Sequence, residues 1–141
     1  MSLEYWNSLA NQVILISALL SGFSIAIVAN VIVSDNKNKY VDRILKTATI
    51  AAGSFLVTLF AMTKISLLTT PGGYMKNITE NDFMMPRIIG IITFMIGLFA
   101  LSALIGYSGW IKSKKIGIFT TIVGGVTLLL ILLTMTKVSL N

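Results

Sequence analysis

Residues 15–30 form a nearly uninterrupted apolar stretch, LISALLSGFSIAIVAN. It lies within an apolar run, residues 13–33. At about 1.5 Å of rise per residue, that run is long enough to cross a hydrocarbon core of about 30 Å. The stretch therefore predicts a first transmembrane helix.

The side chains of this helix divide into two stripes when they are placed at 100° per residue. One stripe carries an amide at each end and apolar side chains between them: Gln12, Leu19, Phe23, Ala26 and Asn30. The second stripe lies roughly opposite and consists of three hydroxyl residues: Ser17, Ser21 and Ser24. One stripe could line a pathway, and the other could pack against a neighbouring helix.

The composition indicates an integral membrane protein. The 141 residues are 55% hydrophobic and only 11% charged, with a mean hydropathy of +0.88, so the apolar surface must be hidden in lipid. Four apolar runs have spanning length: residues 13–33, 48–68, 88–109 and 116–135. We therefore predict an all-α subunit with four transmembrane helices, with residues 1–141 forming a single domain. The expected location is the plasma (inner) membrane.

Several classes of function are disfavoured by what the chain lacks. It has no histidine and no cysteine, which removes the usual ligands of zinc, haem, copper and iron–sulfur clusters, and no cofactor is expected. The five acidic residues lie at or outside the membrane boundaries without a nucleophile–base set, so we do not expect an enzyme. Carboxylates and histidines of the proton-coupled carrier type are missing from mid-membrane. The net charge of +6 comes from membrane-flanking lysines, and no nucleic-acid partner is expected.

The basic residues predict an orientation. The connections after the first and third spans share one side of the membrane and hold seven cations: Lys37, Lys39, Arg43, Lys46, Lys112, Lys114 and Lys115. The opposite side holds Lys76, Arg87 and Lys137, with Lys64 leaning towards it. The positive-inside rule places the seven cations in the cytoplasm and both termini outside.

Small residues and one lysine mark the later spans. The second span contains Ala51, Ala52, Gly53 and Ser54, which let another helix approach closely. We expect Lys64 to snorkel to the headgroups, and a role on an ion or lipid path stays open. Gly124 and Gly125 in the fourth span fit either a bend or close packing. The uniformly apolar fourth span is expected to be the most lipid-exposed.

Short segments of the chain resemble one family. Residues 18–23, ALLSGF, resemble the start of the pore helix of the Orai calcium channels, the pore subunits of store-operated calcium entry. Residues 59–61, LFA, are similar to the second helix of that family, and Ile96-Gly97 with residues 110–112, WIK, to the third. The segments occur in the same order on a chain with the same number of helices. The resemblance is that of a distant, prokaryotic-type relative of this family.

The resemblance implies a homo-oligomer, with six subunits arranged around a central axis. The first helix would be innermost and line a pore, the second and third would form a surrounding ring, and the fourth would lie outermost. Leu19, Phe23 and Ala26 fall on the hydrophobic pore section of the family. Gly22 falls on its flexible glycine, the pore hinge. Asn30 falls on its calcium-selecting glutamate ring.

The chain departs from the family in three respects. Asn30 is neutral, so it is a possible ion-coordinating ring without the charge that holds Ca²⁺ against monovalent ions. Asn11 and Leu15 correspond to the basic inner section of the pore, so no ring of positive charge is present, although Leu15 still counts as pore-lining. The family keeps both termini in the cytosol, whereas the loop charges predict the reverse.

Two functions follow from these observations. The first is an oligomeric channel that conducts cations with weak calcium selectivity, gated by wetting of its apolar rings and filtered by Asn30. The alternative is a non-conducting four-helix subunit whose serine stripe and glycine-rich helices bind a partner membrane protein. In that case Asn30 merely ends the helix near the interface and Phe23 is a packing residue.

Overall fold

The computed structural model describes residues 3–34, 38–72 and 80–135. Its four α-helices are α1 (Leu3–Val33), α2 (Lys39–Thr69), α3 (Met84–Ser108) and α4 (Lys114–Met135). Short 3₁₀ turns, Glu80–Phe83 and Gly109–Ile111, precede and follow α3, and this described part of the chain contains no strand. Four helices are long and apolar enough to span a membrane, as expected for an integral multi-pass membrane protein.

The first two helices extend well beyond their predicted apolar spans. Each has 31 residues, which corresponds to about 46 Å at 1.5 Å per residue. Hydropathy marks only the part of a helix that lies in hydrocarbon, whereas polar turns continue the same helix into the headgroup region. The start of α2 is capped because the side chain of Asn38 accepts a hydrogen bond from the backbone N–H of Tyr40.

Successive helices pack against one another in antiparallel order. α2 is central, with α1 packed on it from one side and α3 from another, and α4 packs mainly on α3. α1 and α4 therefore stand at the two ends of the series. Side chains from all four helices still meet in one buried cluster around Phe55 of α2, which Leu20, Leu98 and Leu128 join.

The α1–α2 interface uses the serine stripe. Ser17, Ser21 and Ser24 are buried, and the Ser21 hydroxyl donates a hydrogen bond to the carbonyl of Ala52 at 3.2 Å. Small side chains let the two helix backbones approach closely where lipid offers no hydrophobic driving force. The expected packing of this stripe against a neighbouring helix is thus found, and the neighbour is α2 of the same chain.

The α2–α3 interface is built from one large side chain and small ones. The ring of Phe55 is fully buried, and a Cβ atom added at Gly97 would lie 2.7 Å from its Cζ atom. The hydroxyl groups of Thr58 and Thr93 are hydrogen-bonded at 2.8 Å. A side chain at position 97 would therefore displace the aromatic ring.

The α3–α4 interface explains one of the two adjacent glycines of α4. A Cβ atom at Gly124 would lie 2.7 Å from the backbone oxygen of Ser102, whereas nothing lies within 4 Å of one at Gly125. α4 continues as a helix through both, and the position of Gly124 against α3 shows that it serves close packing. Only 11% of an 18-residue apolar stretch of α4 is buried, the smallest share among the four helices. This low burial agrees with the expected lipid exposure.

Aromatic rings and a cation pack together at one end of the helix series. Tyr40 stacks on Trp110 with centroids 5.6 Å apart, and the guanidinium carbon of Arg43 lies 5.6 Å from the ring centroid of Tyr107. The remaining described cations of the first and third connections lie near the same helix ends: Lys39, Lys46, Lys112, Lys114 and Lys115. Lys37, Lys76 and Lys137, which also entered the orientation argument, lie outside the described residues. The orientation itself stays a prediction.

The paired glycines of α4 supply a matched test of this packing. Alanine forms helix better than glycine by about 1 kcal/mol, so Gly125→Ala should leave stability unchanged or slightly raised. Gly124→Ala should lower the free energy of unfolding by about 1–3 kcal/mol, because its methyl group overlaps the α3 backbone. Thermal unfolding in detergent compares the two variants. Equal midpoints would contradict the close approach of α3 and α4.

Candidate functional site

The candidate pore residues form a single exposed surface of α1, here called the outward stripe. All six are exposed in the subunit: Gln12, Leu15, Leu19, Phe23, Ala26 and Asn30. The large side chains are open to the surroundings, with 65% of Leu15, 55% of Leu19 and 65% of Phe23 exposed. The outward stripe is thus not used for packing within the chain.

The two faces of α1 have opposite roles in the subunit. The serine stripe lies against α2, and the outward stripe points away from it. The amides of Gln12 and Asn30 are about 27 Å apart along the helix axis at 1.5 Å per residue, close to the thickness of a hydrocarbon core. If several copies brought this surface to a common axis, rings of amide oxygens would flank an apolar section at both mouths.

Gly22 lies beside the outward stripe and is not required by packing. A Cβ atom at this position would meet nothing within 4 Å. α1 continues as a regular helix through it. Its assignment as a pore hinge therefore stays a prediction.

Asn11 bonds to neighbours on α1 and α2. Its side-chain carbonyl accepts a hydrogen bond from the Ser66 hydroxyl at 2.8 Å, and its amide nitrogen donates to the Asn7 carbonyl at 3.0 Å. Asn11 is itself exposed and lies about 40° around α1 from Leu15, because the two residues are four positions apart. Its correspondence with an inner pore section stays a prediction.

The sequence analysis missed a polar cluster between the start of α1 and the end of α2. The Asn7 amide donates to the backbone oxygen of Ser66 at 2.9 Å and to the Thr69 hydroxyl at 3.2 Å. Asn11 extends the cluster by its bonds to Asn7 and Ser66. Two asparagines spaced four residues apart at the start of an apolar run were the available signal, because that spacing puts both amides on one face.

A second missed feature is a cavity of about 420 Å³ between α1 and α3, with α2 beneath it. Most of its lining is apolar, including Leu9, Val13 and Phe94, and Met135 of α4 borders it. Arg87 also lines the cavity, and its guanidinium carbon lies 4.4 Å from the centroid of the Trp6 ring. No local sequence pattern predicts the contact between Arg87 and Trp6, because the two residues belong to different helices.

Lys64 is exposed on the other side of the α2–α3 pair. It borders an open groove of about 450 Å³ whose remaining lining is apolar and includes Phe60, Met85 and Ile89. The described residues contain no group of three or more carboxylate, histidine or cysteine side chains that could hold a metal ion. The outward-stripe amides, above all Asn30, remain the candidate ion ligands.

Comparisons of this chain with protein-family models, with curated proteins and with solved structures gave no match. The resemblance to the Orai channels therefore remains a hypothesis based on the quoted segments. The class that the fold defines is a four-helix integral membrane protein.

The polar cluster predicts a measurable contribution to stability. Asn7→Ala removes the bonds to Ser66 and Thr69 and deprives Asn11 of a partner, so we expect a loss of about 1–2 kcal/mol of unfolding free energy. Ser8→Ala, at the adjacent exposed position, is the matched control and should change little. Unfolding in a denaturing detergent titration measures both. A loss of the same size in the two variants would show that the cluster does not join the helices.

Proposed function

We propose that this protein is the subunit of an oligomeric membrane channel that conducts cations with weak calcium selectivity. The single observation that carries the proposal is the division of α1 into a face packed on α2 and an unpacked outward stripe with an amide near each end. The proposed assembly is a homo-oligomer around a central axis with α1 innermost, and the resemblance suggests six copies. Its expected location is the plasma (inner) membrane.

The position of α1 in the helix series supports this arrangement. Among the long helices, α1 packs extensively only against α2. α3 and α4 follow on the far side of α2. Copies of α1 can therefore meet at an axis while the other three helices stay outside it. α4, the least buried helix, would face lipid.

The outward stripe supplies the elements of a narrow gated pore. Leu19, Phe23 and Ala26 would form successive apolar rings, and such constrictions gate by excluding water. Asn30 would form a ring of amide carbonyls at one mouth and Gln12 a similar ring at the other. Neutral oxygens coordinate cations without the net negative charge that favours Ca²⁺ strongly over monovalent ions. Weak calcium selectivity follows from that difference.

The alternative, a non-conducting subunit that binds a partner membrane protein, requires a revision. The serine stripe cannot be the partner surface, because α2 of the same chain already covers it. The glycines of the α2–α3 and α3–α4 interfaces, Gly97 and Gly124, are likewise in use within the subunit. A partner would have to bind a surface that is exposed in the chain, such as the outward stripe, and the oligomeric state of the purified protein separates the two functions.

Cation flux into proteoliposomes tests the proposed filter. We expect the wild-type protein to pass K⁺ and Na⁺ readily, and Asn30→Glu to shift the flux ratio towards Ca²⁺ by about tenfold, because a carboxylate ring adds charge at the filter. Ile32→Glu is the control. It adds the same charge at the same end of α1, on an exposed residue rotated by 200° from Asn30.

A shift of equal size in the two glutamate variants would assign the effect to surface charge and remove Asn30 from the pore. No flux from the wild type or from Asn30→Glu, from protein that runs as a monomer in mild detergent, would favour the non-conducting alternative.

Phe23 provides a separate test of the gate. Phe23→Ser should raise the resting cation leak at least about tenfold, because a hydroxyl ring wets a constriction that a phenyl ring keeps dry. Phe119→Ser is the matched control, since Phe119 of α4 is 67% exposed and Phe23 is 65% exposed in the subunit. Flux of Na⁺ into the same proteoliposomes measures both. An increase from Phe119→Ser alone, or from neither variant, would contradict a gate at Phe23.

A further inference from the structure

The cavity of about 420 Å³ between α1 and α3 has the size of a ligand site, since such sites occupy about 300–1,000 Å³. Its lining is apolar apart from the single charge of Arg87. Water is a poor occupant of such a space, because a buried water needs two to four polar partners. The apolar lining favours a hydrocarbon chain as the occupant of the cavity.

Arg87 is placed to hold an anion at the edge of this hydrocarbon space. Its guanidinium carbon lies 4.4 Å above the centroid of the Trp6 ring. Trp6 is only 8% exposed and also packs against Phe83, with centroids 5.9 Å apart. A guanidinium group carries five N–H donors, and a contact with an aromatic ring does not use them all, so it can still bind oxygen atoms.

Within residues 3–34, 38–72 and 81–135 no carboxylate forms an ion pair with Arg87, whose guanidinium group lies over the Trp6 ring. Arg87 is also exposed, four residues into the helix start that follows Phe83, near the predicted membrane boundary. A cation at that depth beside an apolar cavity matches a molecule with an anionic head and an apolar tail.

A protein helix fits this space poorly. A helix about 10 Å in diameter fills about 420 Å³ in a single turn of 5.4 Å, so the cavity would hold no more than one turn. A flexible acyl chain can follow the space between α1 and α3. We infer that this cavity is a binding site for an anionic phospholipid, with one acyl chain between α1 and α3 and the phosphate group on Arg87. The inference does not depend on whether the protein conducts ions.

Fluorescence of Trp6 reports occupancy directly, because this residue lines the cavity. The chain has two tryptophans, so Trp110→Phe leaves Trp6 as the single reporter and serves as the background for all variants. The protein is reconstituted in phosphatidylcholine vesicles that contain a small fraction of lipid with brominated acyl chains. That lipid is either phosphatidylglycerol or phosphatidylcholine. Bromine quenches the indole on contact, and the ratio of the two quenching constants measures headgroup preference.

We expect brominated phosphatidylglycerol to quench Trp6 about fivefold more strongly than brominated phosphatidylcholine, the preference that one cation near the membrane surface supplies. Arg87→Gln should bring the ratio to about one. Lys64→Gln removes another exposed cation of this membrane half, the one that borders the α2–α3 groove, and should leave the ratio unchanged.

The acyl chain has its own test. Val13→Phe adds volume to a residue that lines the cavity and should reduce quenching by both brominated lipids at least about threefold. Val126→Phe adds the same volume on the exposed surface of α4 and should not. Should the Trp110→Phe background fail to fold, native mass spectrometry of wild type, Arg87→Gln and Lys64→Gln with an equal mixture of the two lipids gives the same comparison.

Equal quenching of the parent protein by the two lipids would overturn the inference. Loss of the preference in both Arg87→Gln and Lys64→Gln would overturn it as well, because the effect would then be general surface charge. Millimolar inorganic phosphate that abolishes the preference would assign Arg87 to a soluble anion and overturn the lipid site. Unchanged quenching in Val13→Phe would exclude the acyl chain from the cavity.

Discussion

The four helices are held together by the close approach of their backbones at small residues. Lipid tails are as apolar as leucine, so helices in a membrane gain little by hiding hydrophobic side chains from one another. They associate where packing is tight and backbones come near. Here Ser21 meets Ala52, Gly97 receives the ring of Phe55, and Gly124 lies against the backbone of Ser102. These contacts order the four helices with α2 at the centre.

The orientation of α1 follows from this packing. Its serine side chains pack on α2, so the large side chains of the opposite face, including Leu15, Leu19 and Phe23, remain exposed. The same helix carries Gln12 and Asn30 on that outer surface. Amides are costly in hydrocarbon unless they find partners. A surface that is apolar in its middle and polar at its two ends is suited to an axis shared by several copies, and this is why helix 1 is the proposed pore wall.

The two ends of the subunit use the same physical device for different purposes. At one end Arg43 lies over Tyr107, and Tyr40 stacks on Trp110, which joins α2 to α3 and its following turn. At the other end Arg87 lies over Trp6 beside an apolar cavity. A guanidinium group that rests on an aromatic face keeps its in-plane donors available. The first pair closes a helix interface, and the second borders a space large enough for a lipid chain.

The number of helices, their membrane character and the two stripes of α1 all follow from the sequence, because apolar run length governs insertion into lipid and helical periodicity places residues on a common face. The sequence also indicated small residues as packing sites, but it did not distinguish Gly124 from Gly125. The structure distinguishes them, because the α3 backbone lies beside Gly124 alone. Which helix faces are in contact becomes clear only from the three-dimensional packing. Asn7 bonds with Ser66 across 59 positions of the chain, Asn11 turns to α2, and Arg87 reaches Trp6. Such contacts depend on the rotation and depth of two helices relative to one another, and close packing between distant small residues sets both, so no local pattern contains them.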